Sequence, residues 1–212
     1  MRSYQDSIAL FESTKVLQKA FTAAATDIVT CASHGFVTGD KIRVTTSAAD
    51  LPAGLSINTD YFVVKIDAST FYLNSSADSH PDNRVDITDA GTGTHTLHLK
   101  SRVALVSDFR HLGLSWYTAN SADFTIKIQM SRQEDVDFES AASATNRWSY
   151  VQVIDNDTGA TVDGATGISP VVAGTDENKE FDINLDGVMW ICADVTTWVA
   201  GTIDLRVYPV ND

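Results

Sequence analysis

The sequence predicts an all-β fold: a β-sandwich or jelly-roll-like domain with a small β module inserted in an early loop. Three observations predict it. Apolar and polar residues alternate with a period of two in many short segments, clusters of Asn, Asp and Gly separate these segments, and a helix of any length is hard to place. The best helix candidate, residues 137–144, is short and Ser-rich.

The strand series opens with an apolar stretch at residues 7–11, which is too small to fold alone. Strand character resumes at residues 103–106. The simplest architecture therefore joins residues 1–19 and 101–212 in one sandwich, the domain expected to mediate assembly, with residues 20–100 inserted as a small β domain. Such an insertion costs little when the ends of the inserted domain are close together.

The inserted region differs in composition from the rest of the chain. It is rich in Thr, Ala, Asp and Gly, and it contains none of the four Trp. Short strands separated by Gly-containing turns are expected within it. The expected strands are 27–32, 41–45, 61–66, 70–73 and 94–99.

The second half of the chain carries the clearest alternation, which predicts strands with one buried face. The alternating runs are 124–130, 151–153, 181–185 and 203–207. Turns are expected between them because Asn, Asp and Gly tolerate the backbone conformations that turns need. The expected turns are 156–159, 163–164, 186–187 and 200–201.

The net charge limits the classes of partner. The chain has 212 residues with 15 Lys and Arg against 28 Asp and Glu, a formal charge of −13. This surplus argues against binding nucleic acid or an anionic membrane, since both need clustered basic residues. Residues 19–100 hold 6 basic and 9 acidic residues, so most of the acidity belongs to the other domain.

Cysteine content and hydropathy indicate a protein that is made in a reducing cytoplasm. Cys31 and Cys192 each lie in an apolar, strand-like context, and both are interpreted as reduced core thiols, with a disulfide as the less favoured alternative. Neither an N-terminal signal nor an apolar stretch of membrane-spanning length is visible.

Two acidic segments could bind a cation, but each has a structural interpretation that is favoured. Residues 182–187 match the opening of a calcium loop, D-x-N-x-D-G, yet the twelfth position is Ala193 where a bidentate carboxylate is needed. A strand with a polar outer face explains them better. The second segment, 155–159 with Asp163, is interpreted as a hairpin turn.

No constellation of catalytic residues is visible, and the chain is expected not to be an enzyme. His95 and His98 are three apart on a predicted strand and so face opposite sides, which disfavours a shared zinc ion. The acidic pair Glu134-Asp135 lies in a charged run that a solvated loop explains better than a glycosidase site. Catalytic residues, cofactors and metal ligands are therefore all predicted to be absent.

Aromatic residues are the candidates for an interface. Trp116, Trp148 and Trp190 lie in apolar strands and are expected in the core, whereas Trp198 precedes a predicted turn and is expected to be partly exposed. An exposed aromatic side chain can anchor an interface or stack on a sugar ring. The candidate interface residues are Trp198, Tyr117, Tyr4 and Phe11.

The inserted region resembles a small β module that recurs in phage structural and tail-associated proteins. The resemblance covers most of residues 21–98 and rests on an ordered series of short strings. These are Ala-Ser-His-Gly-Phe-Val-Thr-Gly-Asp at 32–40, Leu-Pro-Ala-Gly-Leu at 51–55, Thr-Asp-Tyr-Phe-Val-Val-Lys at 59–65, Thr-Phe-Tyr-Leu at 70–73 and Gly-Thr-Gly-Thr-His-Thr at 91–96. Cys31 departs from the pattern, since a less reactive residue is usual there.

The remainder resembles jelly-roll-like or sandwich proteins of tailed-phage heads, in particular capsid decoration (cement) proteins. The strings that carry the resemblance are at 108–112, 118–129, 137–138, 146–151, 163–167 and 186–190. The resemblance implies a virion protein on the head surface that is assembled in the host cytoplasm and stabilises the capsid lattice. It also implies the major capsid protein and further copies of the chain as partners, often as a trimer.

Two other functions remain open from the sequence. A tail or fibre component that binds host carbohydrate would present a shallow groove with exposed aromatics such as Trp198 or Tyr117. A cell-wall glycosidase would need an acid/base pair that the sequence does not assemble convincingly. Whether residues 1–19 pair within their own subunit or with a neighbour is also open.

Overall fold

The structure, a computed structural model, describes residues 3–4, 6–134 and 148–211. The helix candidate at 137–144 lies outside these residues. The described chain is all-β, as predicted, with one short 3₁₀ turn at Pro81–Asn83. Its strands are β1 (Ser3–Tyr4), β2 (Ile8–Phe11), β3 (Gln18–Ala23), β4 (Val29–Thr30), β5 (Lys41–Thr46), β6 (Tyr61–Lys65), β7 (Thr70–Asn74), β8 (His95–Leu99), β9 (Ala104–Leu105), β10 (His111–Ser131), β11 (Ser149–Tyr150), β12 (Val153–Asp155), β13 (Thr161–Val162), β14 (Asn178–Asn184) and β15 (Trp190–Asn211).

The chain divides into two compact units. One, here called the barrel unit, comprises Thr14–Lys100; the other, the sandwich unit, contains the described residues before and after it. The barrel unit begins earlier than the predicted residue 20, because β3 starts at Gln18 and pairs with β8. In the described part of the chain, no helix is long and apolar enough to cross a membrane.

The sandwich unit is an antiparallel sheet in the order β1-β15-β10-β14-β12-β13. Strands β2 and β9 also pair with β15, and β11 pairs with β10. The N-terminal strands thus pair within their own chain: Tyr4 lies opposite Val210, and Phe11 lies opposite Leu205.

The two longest strands of this unit, β10 and β15, bend together and fold back on themselves. Trp116 and Phe124 are eight positions apart on β10, about 26 Å along a straight strand, yet their ring centroids are 5.5 Å apart. The bend coincides with register shifts between Ala119 and Ile126 and with left-handed backbone at Asn120. It brings inward-facing side chains from both halves of the strands into one core.

The predicted turn at 200–201 is wrong, because β15 continues through it. Gly201 has φ +98° and lies against Ala122 on β10, where a Cβ on the glycine would come within 2.5 Å of the Ala122 Cα. Hydrogen-bonded pairing resumes on both sides of the irregularity. The glycine therefore marks the bend of a continuous strand.

The barrel unit is a closed six-stranded barrel in the order β3-β4-β7-β6-β5-β8, with β8 pairing back to β3. Strands β5, β6, β7 and β8 match the predicted segments 41–45, 61–66, 70–73 and 94–99 to within one residue. Strand β4 is shorter than the predicted segment 27–32, and β3 was not predicted. Barrel closure was not predicted either. Fully buried Phe36, Phe71 and Leu97 lie in its core.

The connections between the units are those of an insertion. On the barrel side, Leu99 N donates to Leu17 O over 2.8 Å; on the sandwich side, Arg102 N donates to Leu10 O over 3.0 Å. The chain therefore leaves and re-enters each unit at adjacent points, the geometry that makes insertion inexpensive.

Among the residues expected in the core, the cysteines and Trp116 are confirmed and two tryptophans are not. Cys31 and Cys192 are buried and are not disulfide-bonded. Trp116 is fully buried, but Trp148 and Trp190 are half-buried. The Trp190 ring donates its Nε1 proton to Gln133 O at 3.0 Å.

Candidate functional site

The four predicted interface residues do not form one patch. Tyr117 is 53% exposed on the outer face of β10. Trp198 is half-buried, with its Nε1 donating to Gly201 O, and Phe11 is only 2% exposed and belongs to the core. Tyr4 lies in β1; its side chain is outside the described atoms. Their interface role stays a prediction, and Phe11 has little surface to contribute to it.

Strands β15, β10 and β14 present an outer face of polar and aromatic side chains. Pairing register places these residues in rows across the three strands. The rows, written in the order β15, β10 and β14, are Asp204, Tyr117 and Asn178; Arg206, Ser115 and Glu180; Tyr208, Gly113 and Asp182. The residues that alternate with them on β10, Leu112, Leu114 and Trp116, are buried.

A cavity of about 400 Å³ opens on this face beside Gly113. Its polar lining includes Ser115, Asn156, Glu180, Asp182 and Tyr208. This cavity was not predicted from the sequence. The signal that could have found it is Gly113, which stands at an outward position of an otherwise regular alternating strand.

Arg206 on β15 and Lys179 on β14, the strands that contribute to this cavity, are already engaged in ion pairs. The Arg206 guanidinium contacts both carboxylate oxygens of Asp204, one through Nε and one through Nη2 at 3.2 Å. Lys179 Nζ lies 3.0 Å from Asp155 Oδ2. The hydrogen bond from Lys179 lowers the pKa of Asp155 and raises the pKa of Lys179 itself.

The second acidic segment is a hairpin turn, as predicted. Strands β12 and β13 pair on either side of it, and Gly159 N donates to Asp155 O. Asp155 Oδ1 accepts hydrogen bonds from the backbone N–H groups of Asp157 and Thr158. These contacts make Asp155 the organiser of the turn.

The residues of the calcium-loop motif are arranged as a strand end. Asp182 and Asn184 lie on β14, and Asp186 follows it, with its N–H donating to Asn184 Oδ1. Asn184, Asp186 and Asp108 line a second, open cavity of about 600 Å³. Within the described residues, no group of three His, Cys, Asp or Glu side chains could hold a metal ion.

Three exposed valines, here called the valine cluster, lie on two segments that meet at the bend of the sandwich unit. Val171 is 72% exposed, Val199 is 68% exposed and Val172 is 59% exposed. Both segments that carry them pack against Ala122: Gly174 N donates to Ala122 O at 2.9 Å, and Gly201 lies against the Ala122 Cα. Sequence reasoning missed this cluster, since valines outside an alternating run carry no signal of exposure.

In the barrel unit, the residues of the recurrent strings have structural roles. His34 is fully buried, with Nδ1 accepting from Phe36 N–H and Nε2 facing Asp67 O at 3.2 Å. Burial lowers the pKa of His34, and the hydrogen bond to Asp67 O opposes this effect. The imidazole is therefore a neutral core group, and its contacts fix the loop that precedes Phe36.

Other residues of these strings form buried ion pairs or occupy a position where only glycine fits. Lys15 Nζ lies 2.7 Å from Asp40 Oδ1, with side-chain exposures of 4% and 7%. Asp60, 3% exposed, pairs with Lys41 at 3.1 Å and with Arg43. Gly35 has φ +71°, and a Cβ there would lie 1.8 Å from the Thr14 carbonyl oxygen, so only glycine fits.

The two strand histidines face opposite sides of β8, as predicted. His95 is buried, with Nε2 2.9 Å from Ala90 O, whereas His98 is half-buried beside Thr45 and Gln18. Burial also raises the pKa of the Cys31 thiol, which keeps it protonated and weakly nucleophilic. Of the acidic pair, Glu134 is exposed and Asp135 lies outside the described residues.

Comparison with known proteins gives one structural neighbour. No protein-family model matches the chain, and no curated protein matches it in sequence. The crystal structure of the PBSX exported protein XepA aligns over 100% of this chain and 86% of the other, with a TM-score of 0.38 and 9% sequence identity. A similarity at this level carries no argument about function.

Proposed function

We propose that this chain is a structural protein of a tailed-phage particle, and specifically a decoration (cement) protein of the head surface. In this proposal it has no catalytic role, binds the major capsid protein and acts as a homo-oligomer, with a trimer favoured. The sequence resemblance of both units to phage structural proteins motivates the proposal, and the acidic charge of −13 fits a protein partner better than nucleic acid or lipid.

The observation that carries the proposal is the exposed valine cluster of Val171, Val172 and Val199. Large apolar side chains that are exposed on neighbouring segments are typical of protein–protein contacts. Both segments contact the bend at Ala122, which reduces the backbone freedom that binding would remove. Many weak copies of such a contact, repeated over a lattice, add up by avidity.

The experiment is co-sedimentation with undecorated heads of the phage that encodes the chain, together with the solution mass by light scattering. We expect a stable oligomer that sediments with the heads. The variant Val171→Ser/Val172→Ser/Val199→Ser should lose most of this binding, whereas Ile57→Ser, at a 59% exposed position of the barrel unit, should keep it. A monomer that never sediments with heads would overturn the proposal.

A second candidate function, a tail or fibre module that binds carbohydrate, is favoured by Tyr117. Its ring is 53% exposed on a polar sheet face, an arrangement suited to stacking on a sugar. A glycan array would test it: binding that disappears in Tyr117→Ala would support an adhesion role, and no binding at high protein concentration would count against it.

A further inference from the structure

The cavity beside Gly113 is shaped by a missing side chain. Gly113 lies between Tyr208 on β15 and Asp182 on β14, directly opposite both. Its backbone is not in the left-handed region, and a Cβ would meet Tyr208 Cβ at an ordinary 3.8 Å. The strand conformation therefore does not require glycine here. A glycine weakens a strand interior, and at such a position it often marks the close approach of a ligand.

All the charged residues that line the cavity are acidic. Glu180 and Asp182 line it, and no basic residue does. Neither carboxylate has an ion-pair partner or a side-chain hydrogen bond within the described part of the chain. Arg206, in the same row as Glu180, is held by Asp204. The cavity thus presents two uncompensated carboxylates beside the Tyr208 ring.

We propose that this cavity binds an arginine side chain of a partner protein. A guanidinium carries five N–H donors in a planar fork that matches a carboxylate, and it also stacks on aromatic rings. It would neutralise the carboxylates while it lies against Tyr208, with Asn156 and Ser115 available as further hydrogen-bonding groups. Lysine offers the charge without the fork and should bind less well.

The inference rests on the proposed function, because it names the chemistry of one contact with the capsid protein. It uses a surface separate from the valine cluster, which lies at the bend of the same unit. Each exposed ion pair is weak and salt-dependent. Such a contact becomes effective when it is repeated across a lattice, and its geometry fixes the orientation of the bound copy.

The first test titrates blocked arginine amide into the full chain and follows backbone amide signals by NMR. We expect saturable shifts at Gly113, Asp182 and Tyr208, smaller shifts with blocked lysine amide, and none with blocked citrulline, which has the shape of arginine without its charge. The variant Glu180→Gln/Asp182→Asn should weaken arginine binding by roughly tenfold. The matched control, Asp108→Asn, removes an exposed carboxylate of the same unit outside this cavity and should change nothing.

Two outcomes of this titration would overturn the inference. One is equal binding of arginine and citrulline, or arginine binding that persists in the double variant. The other is a stronger response of the same residues to neutral oligosaccharides than to arginine, which would make the cavity a sugar site.

The second test repeats head co-sedimentation with Glu180→Gln/Asp182→Asn and separates this inference from the proposed function. Binding by the native chain that weakens severalfold in the variant supports both. Native binding that the variant retains in full overturns the inference and leaves the decoration role standing. If the native chain ignores heads, the decoration role fails, and the arginine titration alone decides whether the cavity binds a guanidinium.

Discussion

The sandwich unit and the barrel unit are both antiparallel β-structures, but different kinds of contact hold them. The sandwich unit depends on one long bent hairpin, β10 with β15, and on the rings of Trp116 and Phe124, which pack across the bend. The barrel unit depends on buried polar links, with Lys15 paired to Asp40 and His34 hydrogen-bonded inside its core.

The difference shows two ways to specify a β-fold. Alternating apolar residues specify a buried face but leave the path of a long strand to tertiary contacts. In the small barrel, glycines at positions where only glycine fits and buried polar residues with a single partner specify the local backbone. Such residues occur close together in the sequence and therefore form recognisable short strings. Each unit should therefore respond to its own class of substitution. All four Trp lie in the sandwich unit, so Trp fluorescence reports on that unit separately.

The largest effect is expected for Trp116→Ala in the sandwich unit. This side chain is fully buried between Phe124 and Phe181, so its loss should cost about 4–5 kcal/mol. Urea denaturation followed by the remaining Trp fluorescence would measure it. Trp198→Ala, at a half-buried site, should cost far less. Equal losses would show that the bend is not the core of this unit.

Asp40→Ala should be the most damaging single change in the barrel unit. It removes the carboxylate that pairs with the Lys15 ammonium, 4% exposed, and that accepts from Val37 N–H, and breaking a buried ion pair costs about 3–4 kcal/mol. Amide hydrogen exchange of β5 and β8 would report the loss, while Trp fluorescence should be unchanged. Asp82→Ala, 87% exposed, serves as the control. A barrel unit that tolerates Asp40→Ala would contradict the role given to its buried ion pair.

Two glycine substitutions in the barrel unit separate the stability cost of a steric clash from the cost of backbone strain. Gly35→Ala forces a Cβ onto the Thr14 carbonyl and a left-handed conformation on alanine, so we expect a loss of about 3 kcal/mol. Gly39→Ala meets only the strain, about 1 kcal/mol, since nothing lies within 4 Å of its Cβ. The difference in unfolding free energy between the two variants measures the contact with Thr14.

Acidification should weaken the barrel unit through His34. Because burial lowers the pKa of this imidazole in the folded state, stability is full above the unfolded pKa of about 6.5 and falls as the pH drops below it, by at most about 1.4 kcal/mol per pH unit. Hydrogen exchange of the barrel at pH 7.5 and pH 5.5 would show it. His34→Gln should flatten this dependence, whereas His80→Gln, at an exposed site, should keep it. A pH response unaffected by His34→Gln would assign the effect to other groups.

Much of the fold could be predicted because it is encoded locally. Alternation over 181–185 and 203–207 located β14 and part of β15, and the Asn-Asp-Thr-Gly string located the hairpin after β12. Strand β3 was missed, since its burial pattern begins with residues that are only partly buried. The turn expected at Gly201 failed because a glycine in a bulge and a glycine in a turn look alike in sequence.

The candidate sites could be predicted less well. Tyr117 was chosen as an exposed aromatic and is exposed, but Phe11 is in the core because β2 places it opposite Leu205. The valine cluster depends on two segments that meet at Ala122, and the cavity beside Gly113 depends on residues from three strands and the turn after β12. A site that is formed by residues distant in the chain leaves no pattern in the sequence when none of those residues is unusual by itself.

The sequence by itself determined the all-β class, the acidic charge and the buried faces of the main strands, because composition and alternation are local properties. Only the tertiary structure decided that the module closes into a barrel, that β10 and β15 fold back at Asn120 and Gly201, and that Gly113 lies between Asp182 and Tyr208. These features depend on strand register and on packing between distant residues. A shift of one residue in register would turn every side chain of a strand to the other face.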